Sequence, residues 1–442
     1  MAISIKMDVV ICNFPPMLKH YLPAAPAVLA GACRWLNKSY VFLDFNQQDI
    51  DIERWSQQVL AYNPKIVALS VFSYKSREYA QQLADLLKSK QPNLQIVAGG
   101  SGIKNSINGD VLINTDYIIE GDGEYKWAKF LSNNVEQFSN LNAPYQSDFS
   151  GYDVANYTAH RKPWVPITGS RGCVRKCTFC EIHRHWNFQQ RSSESIANEV
   201  RSILSIIPNA CVHFTDSLVN GSLPAFNQLL DRLIDIKQQY PEFEWAGQFI
   251  IRNKKQSPEE YWEKIAQSGN SLLEIGVETG SDSLRAEMDK KFTNEDLDHS
   301  LNYIHKFGLK CVFLMFVGYP TETDDDFNQT LEMLQRYQKY AGNTIDAVQL
   351  GYNFSIHPGT PIYEYSNQPN STIVATKYPL IWFNKANNSL TYEERLRRRT
   401  TIQAHASALG YTLSYDNDTA VQEAKDNYQT YHNLINLIER QK

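Results

Sequence analysis

Gly169-Ser170-Arg171-Gly172-Cys173-Val174-Arg175-Lys176-Cys177-Thr178-Phe179-Cys180 places three cysteines within eight residues, spaced C-x3-C-x2-C. The stretch follows Val165-Pro166-Ile167-Thr168, an apolar run that reads as a buried strand. The chain has seven cysteines among 442 residues; the others, Cys12, Cys33, Cys211 and Cys311, are scattered, so no disulfide framework is indicated. Clustered thiols at a strand end point to metal. Three thiolates hold three irons of a cubane and leave the fourth open, whereas electron-transfer clusters usually have four protein ligands. Gly172 lets the backbone come close to such a cluster, and Arg171, Arg175 and Lys176 offset its negative charge. A Cys3His zinc site is the competing reading, because Cys180-Glu181-Ile182-His183 extends the run to C-x3-C-x2-C-x2-H. His183 and His185 are otherwise loop residues beside the cysteines.

Downstream, apolar strands recur at Cys211 to Phe214, Trp245 to Ile251, Leu272 to Val277, Cys311 to Val317 and Ala347 to Phe354. Helical patterns separate them near residues 194–206, 224–239, 258–268, 295–307 and 325–340. Six strand–helix units predict a partial (β/α)6 barrel over 164–364, with functional groups at the C-terminal strand ends. Upstream, residues 1–135 alternate short apolar strands (8–12, 40–45, 66–72, 94–98, 116–119) with helical stretches. Fully apolar strands separated by helices imply a parallel sheet covered on both faces, a doubly wound Rossmann-like domain in an α/β protein. Residues 136–163 are polar and aperiodic and read as a connector, and 365–442 as a small helical C-terminal cap. In that cap the run Arg395 to Arg399 reads as a solvated helix face, and Gln422 to Arg440 as a second helix.

Composition excludes little beyond this. With 43 basic and 48 acidic residues the net charge is −5, interspersed along the chain, so there is no general pull toward nucleic acid or anionic lipid. No apolar stretch nears the ~18–20 residues that span a bilayer, and no signal peptide is evident, so a soluble, cytoplasmic protein without a membrane partner is expected.

The cysteine segment, with aromatic Phe179 before its third cysteine, resembles the radical S-adenosylmethionine (SAM) superfamily. The resemblance continues through His213-Phe214-Thr215-Asp216-Ser217, Gln248 to Arg252, Glu274-Ile275-Gly276-Val277-Glu278-Thr279-Gly280-Ser281, Phe316 to Thr323, and Ser355-Ile356-His357-Pro358-Gly359-Thr360-Pro361, where His357 departs from the family's pattern. It implies a 4Fe–4S cluster on Cys173, Cys177 and Cys180, catalytic and metal-binding at once, whose open iron takes the amino and carboxylate groups of SAM. It also implies that Thr215, Asp216 and Ser217 line the SAM amino group and that Arg252 pairs with its carboxylate. Glu278 and Ser281 would hold the ribose or amino-acid end. Each has a plainer alternative: Asp216 as a helix N-cap, Glu278 as a cap, Arg252 as a partner of a surface carboxylate. Cys211 and Cys311 read as core.

The N-terminal pattern resembles the cobalamin-binding domain that precedes many radical SAM domains, through Asn13-Phe14-Pro15-Pro16, the helix entered at Pro23, Ser70-Val71-Phe72-Ser73, Val97 to Gly102 and Glu120 to Glu124. Gly99, Gly100 and Gly102 are expected to admit a nucleotide tail. The cobalt-ligating D-x-H-x-x-G motif is missing, and His20 is the only histidine before residue 160. Relatives without that motif either bind cobalamin with no histidine ligand or keep only the fold. Methylthiotransferases carry a second cysteine triad near the N-terminus, but only Cys12 and Cys33 precede Cys173, and none follows Cys311, so one cluster is expected. The implied activity is reductive SAM cleavage, with methyl transfer through cobalamin as one outcome and ring formation or rearrangement without cobalamin as another. A zinc- or ligand-binding regulatory protein and an electron-transfer protein are the rivals of other classes. The expected partners are a small-molecule or peptide substrate and an electron donor such as flavodoxin or ferredoxin; nothing signals nucleic acid specifically.

Overall fold

The structure, a computed structural model, describes residues 6–17, 21–103, 114–157, 162–182, 187–376, 379–387 and 389–413. His20, His183, His185 and the helix expected over 422–440 lie outside these. Contacts divide the chain into two units: Met1–Gly169 with Gln190–Thr215 and Ile236–Glu244, and Ser170–Gln189 with Asp216–Asp235 and Trp245–Lys442.

The first unit opens with β1 (Val9–Asn13), α1 (Ala24–Trp35), β2 (Tyr40–Asp44), α2 (Ile52–Ala61), β3 (Ile66–Ser70), α3 (Tyr74–Lys90), β4 (Gln95–Gly99), β5 (Tyr117–Ile119) and α4 (Glu124–Leu131). The strands form one parallel sheet in the order β2-β1-β3-β4-β5. Strand alternation decides which helix meets which face. Val10, Cys12, Val67, Leu69, Ile96 and Ala98 pack with Trp55 and Val59 of α2 and Leu83 and Leu87 of α3. Val9, Ile11, Ala68 and Val97 point the other way, onto Ala30 and Cys33 of α1 and Trp127 of α4. Both faces are thus covered, as continuous apolar strands require.

The glycines after β4 lie close against neighbouring backbone. Gly100 has φ +112°, and a β-carbon there would collide with the Val71 carbonyl oxygen; one at Gly102 would strike the Ser73 backbone. They let the exit of β4 pack against the exit of β3. The same unit holds the parallel pair β6 (Trp164–Ile167) and β9 (Cys211–Phe214) and the helix Ser193–Ile206.

Two-residue strands β7 (Ser170–Arg171) and β8 (Gln189–Gln190) bracket the cysteine segment. Then β10 (Glu244–Phe249), β11 (Asn270–Glu278), β12 (Cys311–Val317) and β13 (Ile345–Asn353) pair successively in parallel, separated by the helices Glu259–Gln267, Asn294–Lys306 and Asp324–Arg336. Thr293 and Thr323 start two of these helices with reciprocal capping boxes to Asp296 and Asp326. With β6 and β9, the strand–helix units of the expected (β/α)6 series number six.

The tail is not purely helical. Strands β14 (Ile373–Ala375) and β15 (Trp382–Asn384) form an antiparallel pair before the helix Tyr392–Ala408. Nor is the arginine run a solvated face: Arg395, Arg398 and Arg399 are buried. Arg395 stacks its guanidinium 3.9 Å from the Trp382 ring centre. Arg398 donates to Glu322 at 2.8 Å and to Glu394 at 2.9 Å, and pairs with Asp324. Among the described residues no helix is long and apolar enough to cross a membrane.

Candidate iron–sulfur and SAM site

One cavity of ≈ 160 Å³ in the second unit gathers Cys173, Cys177 and Cys180 with Arg175, Phe179, Ser217, Gln248, Glu274, Gly276, Glu278 and Lys290. The loop that carries the cysteines is held by its backbone. Gly172 takes φ +74°, the Cys180 N–H bonds the Cys177 carbonyl at 3.1 Å, and the Thr178 N–H bonds the Met288 carbonyl at 3.2 Å. The Thr178 hydroxyl lies 2.8 Å from that of Tyr319. Phe179 stands edge-on to Phe316 at 5.2 Å.

The opposite wall follows from strand alternation. Glu274, Gly276 and Glu278 occupy every second position of β11, and Gln248 is the register partner of Glu274 on β10. Glu278 has φ +66°, next to a register irregularity between β11 and β12. Its carboxylate accepts a hydrogen bond from the Lys290 ammonium at 2.7 Å, with both side chains about 10 % exposed. Burial pushes all three thiols up, Cys177 to about 11, and the Lys290 ammonium pulls each back down.

Phe179, Ser217 and Glu278 line this cavity with the cysteines. The other nominated residues are engaged elsewhere. Thr215, in the first unit, bonds the Ile167 carbonyl and the Thr168 hydroxyl, each at 3.0 Å. Asp216 is buried and accepts from the Ser170 hydroxyl at 2.5 Å. Ser281 is fully buried; it caps the helix Asp282–Glu287 and donates to Asp326 at 2.5 Å, so its hydroxyl is not offered to a ligand. Arg252 follows the wall residues Ile250 and Ile251 and donates to the carbonyls of Asn220 and Gly221. Burial, together with the neighbouring Arg175, holds its guanidinium below the usual pKa.

Lys290, Gln248 and Glu274 were not nominated. A polar residue in an apolar strand, in phase with Glu278, is the signal that identifies Glu274; its register partner Gln248 follows. Lys290 sits in Asp289-Lys290-Lys291, which reads as solvated.

The donor set fits an anionic multi-iron cluster better than a single ion. Among the described residues no three His, Cys, Asp or Glu side chains converge to hold one metal ion. The thiols line a common cavity instead, as suits a cluster in which each thiolate meets a different iron. The buried Nε atoms of Arg175 and Arg252 have no hydrogen-bond partner, and neither guanidinium has an ion pair among the described residues. Arg175, on the cavity wall beside the three thiols, favours a negatively charged occupant. In the first unit, the switch point of the sheet lies between β1 and β3. There Asn13, Ser70 and Phe72, the last 59 % exposed, stand at the strand ends.

A parallel strand–helix series carrying a three-cysteine loop is the architecture of a partial-barrel domain. Residues 167–334 match the Radical SAM superfamily, so this stretch of the chain is a radical SAM domain. A tRNA-2-methylthio-N(6)-dimethylallyladenosine synthase from Ehrlichia chaffeensis is 25 % identical over 247 residues, 53 % of this chain and 52 % of that protein. The ribosomal protein uS12 methylthiotransferase RimO of Pseudothermotoga lettingae is 29 % identical over 179 residues, 37 % of this chain and 40 % of that one. The chain thus spans about half the length, or less, of these curated relatives. Among solved structures, the radical SAM methyltransferase TsrM from Kitasatospora setae, with cobalamin and a [4Fe-4S] cluster bound, aligns with TM-score 0.64 at 15 % identity, covering 85 % of this chain and 82 % of that one. The cobalamin-dependent SAM radical enzyme OxsB aligns with TM-score 0.60 at 18 % identity, covering 81 % and 60 %. The chain thus shares its fold with these two structures over more than four-fifths of its length.

Proposed function

We propose that this protein cleaves SAM reductively at a 4Fe–4S cluster held by Cys173, Cys177 and Cys180, and that it is a cobalamin-dependent methyltransferase. The observation that carries the first part is the single cavity that joins the three thiols to Glu278 and Lys290. When bound, the cluster supplies the electron that divides SAM into methionine and a 5′-deoxyadenosyl radical, which abstracts hydrogen from substrate. The chain's own groups position the reactants. Glu278 accepts from the hydroxyls or ammonium of SAM, Ser217 from its amino group, and Arg175 offers N–H donors to its carboxylate. Phe179, Phe292 and Leu314 keep the cavity wall dry. A donor such as flavodoxin or ferredoxin delivers the electron.

Support for methyl transfer comes from the likeness in fold to TsrM and OxsB over more than four-fifths of this chain. Sulfur insertion of the methylthiotransferase kind is disfavoured by the cysteines outside the triad. Cys12 and Cys33 are fully buried in the first unit, where burial raises their thiols, and cannot serve as a second cluster's ligands without opening that core.

The test is metal content. Protein reconstituted anaerobically, incubated with hydroxocobalamin and gel-filtered is expected to hold about four irons, a 4Fe–4S complement, and one cobalt per chain. Iron without cobalt overturns the methyltransferase reading and leaves ring formation or rearrangement. Zinc in place of iron overturns the cluster.

A further inference from the structure

The path of the backbone around Lys290 is strained in a particular way. Asp289 and Lys291, on either side, both take left-handed φ angles, +62° and +59°. Neither is glycine, so the conformation costs energy and persists only where the surroundings hold it. Its effect is to separate two adjacent lysines. Lys291 is 58 % exposed and pairs with Asp289, whereas Lys290 is turned into the cavity and is 10 % exposed. The turn is fixed by the Lys290 N–H, which donates to the Arg285 carbonyl at 3.0 Å.

Inside, the ammonium lies 2.7 Å from Glu278 and 5.9 Å from the centre of the Phe179 ring, the aromatic residue between the second and third cysteines. The other charged side chains on the cavity wall are Arg175 and Glu274. A buried lysine needs a compensating charge, and Glu278 supplies one. A fixed cation beside a redox group does more than pair. It stabilises the state that carries one more electron, and in a poorly solvated cavity it does so over several ångströms. A fixed carboxylate has the opposite effect.

We infer that Lys290 is a positioning residue of the electron-transfer step: its ammonium raises the reduction potential of the cluster, and Glu278 sets how far. The inference rests on the cluster reading under Proposed function. One electron enters from the donor, the donor is oxidised and the cluster reduced, and the cation favours the reduced side.

Wild type, Lys290→Gln, Lys290→Arg and Glu278→Gln are to be reconstituted, assayed for iron, and titrated with dithionite without SAM while the reduced-cluster resonance is recorded. Lys290→Gln is expected to shift the midpoint to more negative potential, Glu278→Gln to more positive potential, and Lys290→Arg to leave it at the wild-type value. Opposite shifts are the signature of charge, which a merely structural pair does not produce. Unshifted midpoints, or shifts of the same sign in both neutral variants, overturn the inference while the cluster reading stands. Wild type without iron overturns the cluster reading itself. Should Lys290→Gln lose its cluster, Glu278→Gln carries the test from the other sign.

Discussion

Gly276 and Glu278 share one side of β11 so closely that a β-carbon at Gly276 would stand 2.7 Å from the Glu278 carboxylate and 3.0 Å from the Lys290 ammonium. The glycine makes room for the ion pair, and the cysteines are untouched by it. Gly276→Ala is therefore expected to keep its iron and to weaken SAM binding about tenfold or more, roughly 1.4 kcal/mol. Equilibrium binding of SAM to the reconstituted variant measures this, and an unchanged affinity would show that the pair is not part of the SAM site.

The cysteines divide into two kinds. Replacing Cys173, Cys177 or Cys180 by alanine is expected to abolish iron retention. Cys12→Ala, in the core of the first unit, should retain full iron and lose about 1 kcal/mol of stability from a small cavity. Iron analysis beside thermal melts separates the two outcomes.

Arg398 joins the tail helix to the loop after β12. Removing it leaves the Glu322 carboxylate buried without its cation, so Arg398→Met should cost about 3–5 kcal/mol. Denaturant unfolding of the apoprotein checks this, and a loss under 1 kcal/mol would mean that the contact is not maintained in solution.

Glu394 provides a pH signature in the same network. Arg397 first, then Arg398, holds its carboxyl near about 2, against an ordinary 4.5. A depressed folded-state pKa means stabilisation that is complete above about pH 4.5 and lost as pH falls toward 2. The stability gap between wild type and Glu394→Gln should be constant at neutral pH and close across that window; a gap that widens on acidification contradicts the assignment.

At Gly100 the issue is packing. With φ +112° and the Val71 carbonyl in the way, Gly100→Ala should destabilise the protein by about 1–3 kcal/mol even without cobalamin. A variant as stable as wild type that binds cobalamin less tightly would restore the glycine to a ligand-binding role.

Where the sequence was legible, the reason is burial on both sides of a strand. Runs such as Val9-Val10-Ile11-Cys12 and Ile66 to Ser70 have no polar face, and their positions announce a parallel sheet. The C-x3-C-x2-C loop was legible because metal chemistry fixes ligand type and spacing locally. Ser281 and Asp216 were not decided by the sequence, because a hydroxyl or carboxylate at a strand exit serves equally as a ligand contact, a cap or a partner for another buried side chain. The fates of both depend on distant residues, Asp326 and Ser170. The arginine run misled for a related reason. Its counterions Glu322 and Asp324 lie more than 70 positions away, where charge patterning along one helix cannot find them. Lys290 looked solvated because two left-handed residues, not its neighbours' polarity, decide which lysine turns inward.

The most direct test of the central claim is the formation of 5′-deoxyadenosine from SAM by anaerobically reconstituted protein with dithionite, read beside Cys177→Ala carried through the same steps. The account predicts that wild type forms 5′-deoxyadenosine and methionine together and that the variant forms neither. Wild type that retains its iron yet leaves SAM intact, or a Cys177→Ala variant that cleaves SAM at the wild-type rate, would contradict it.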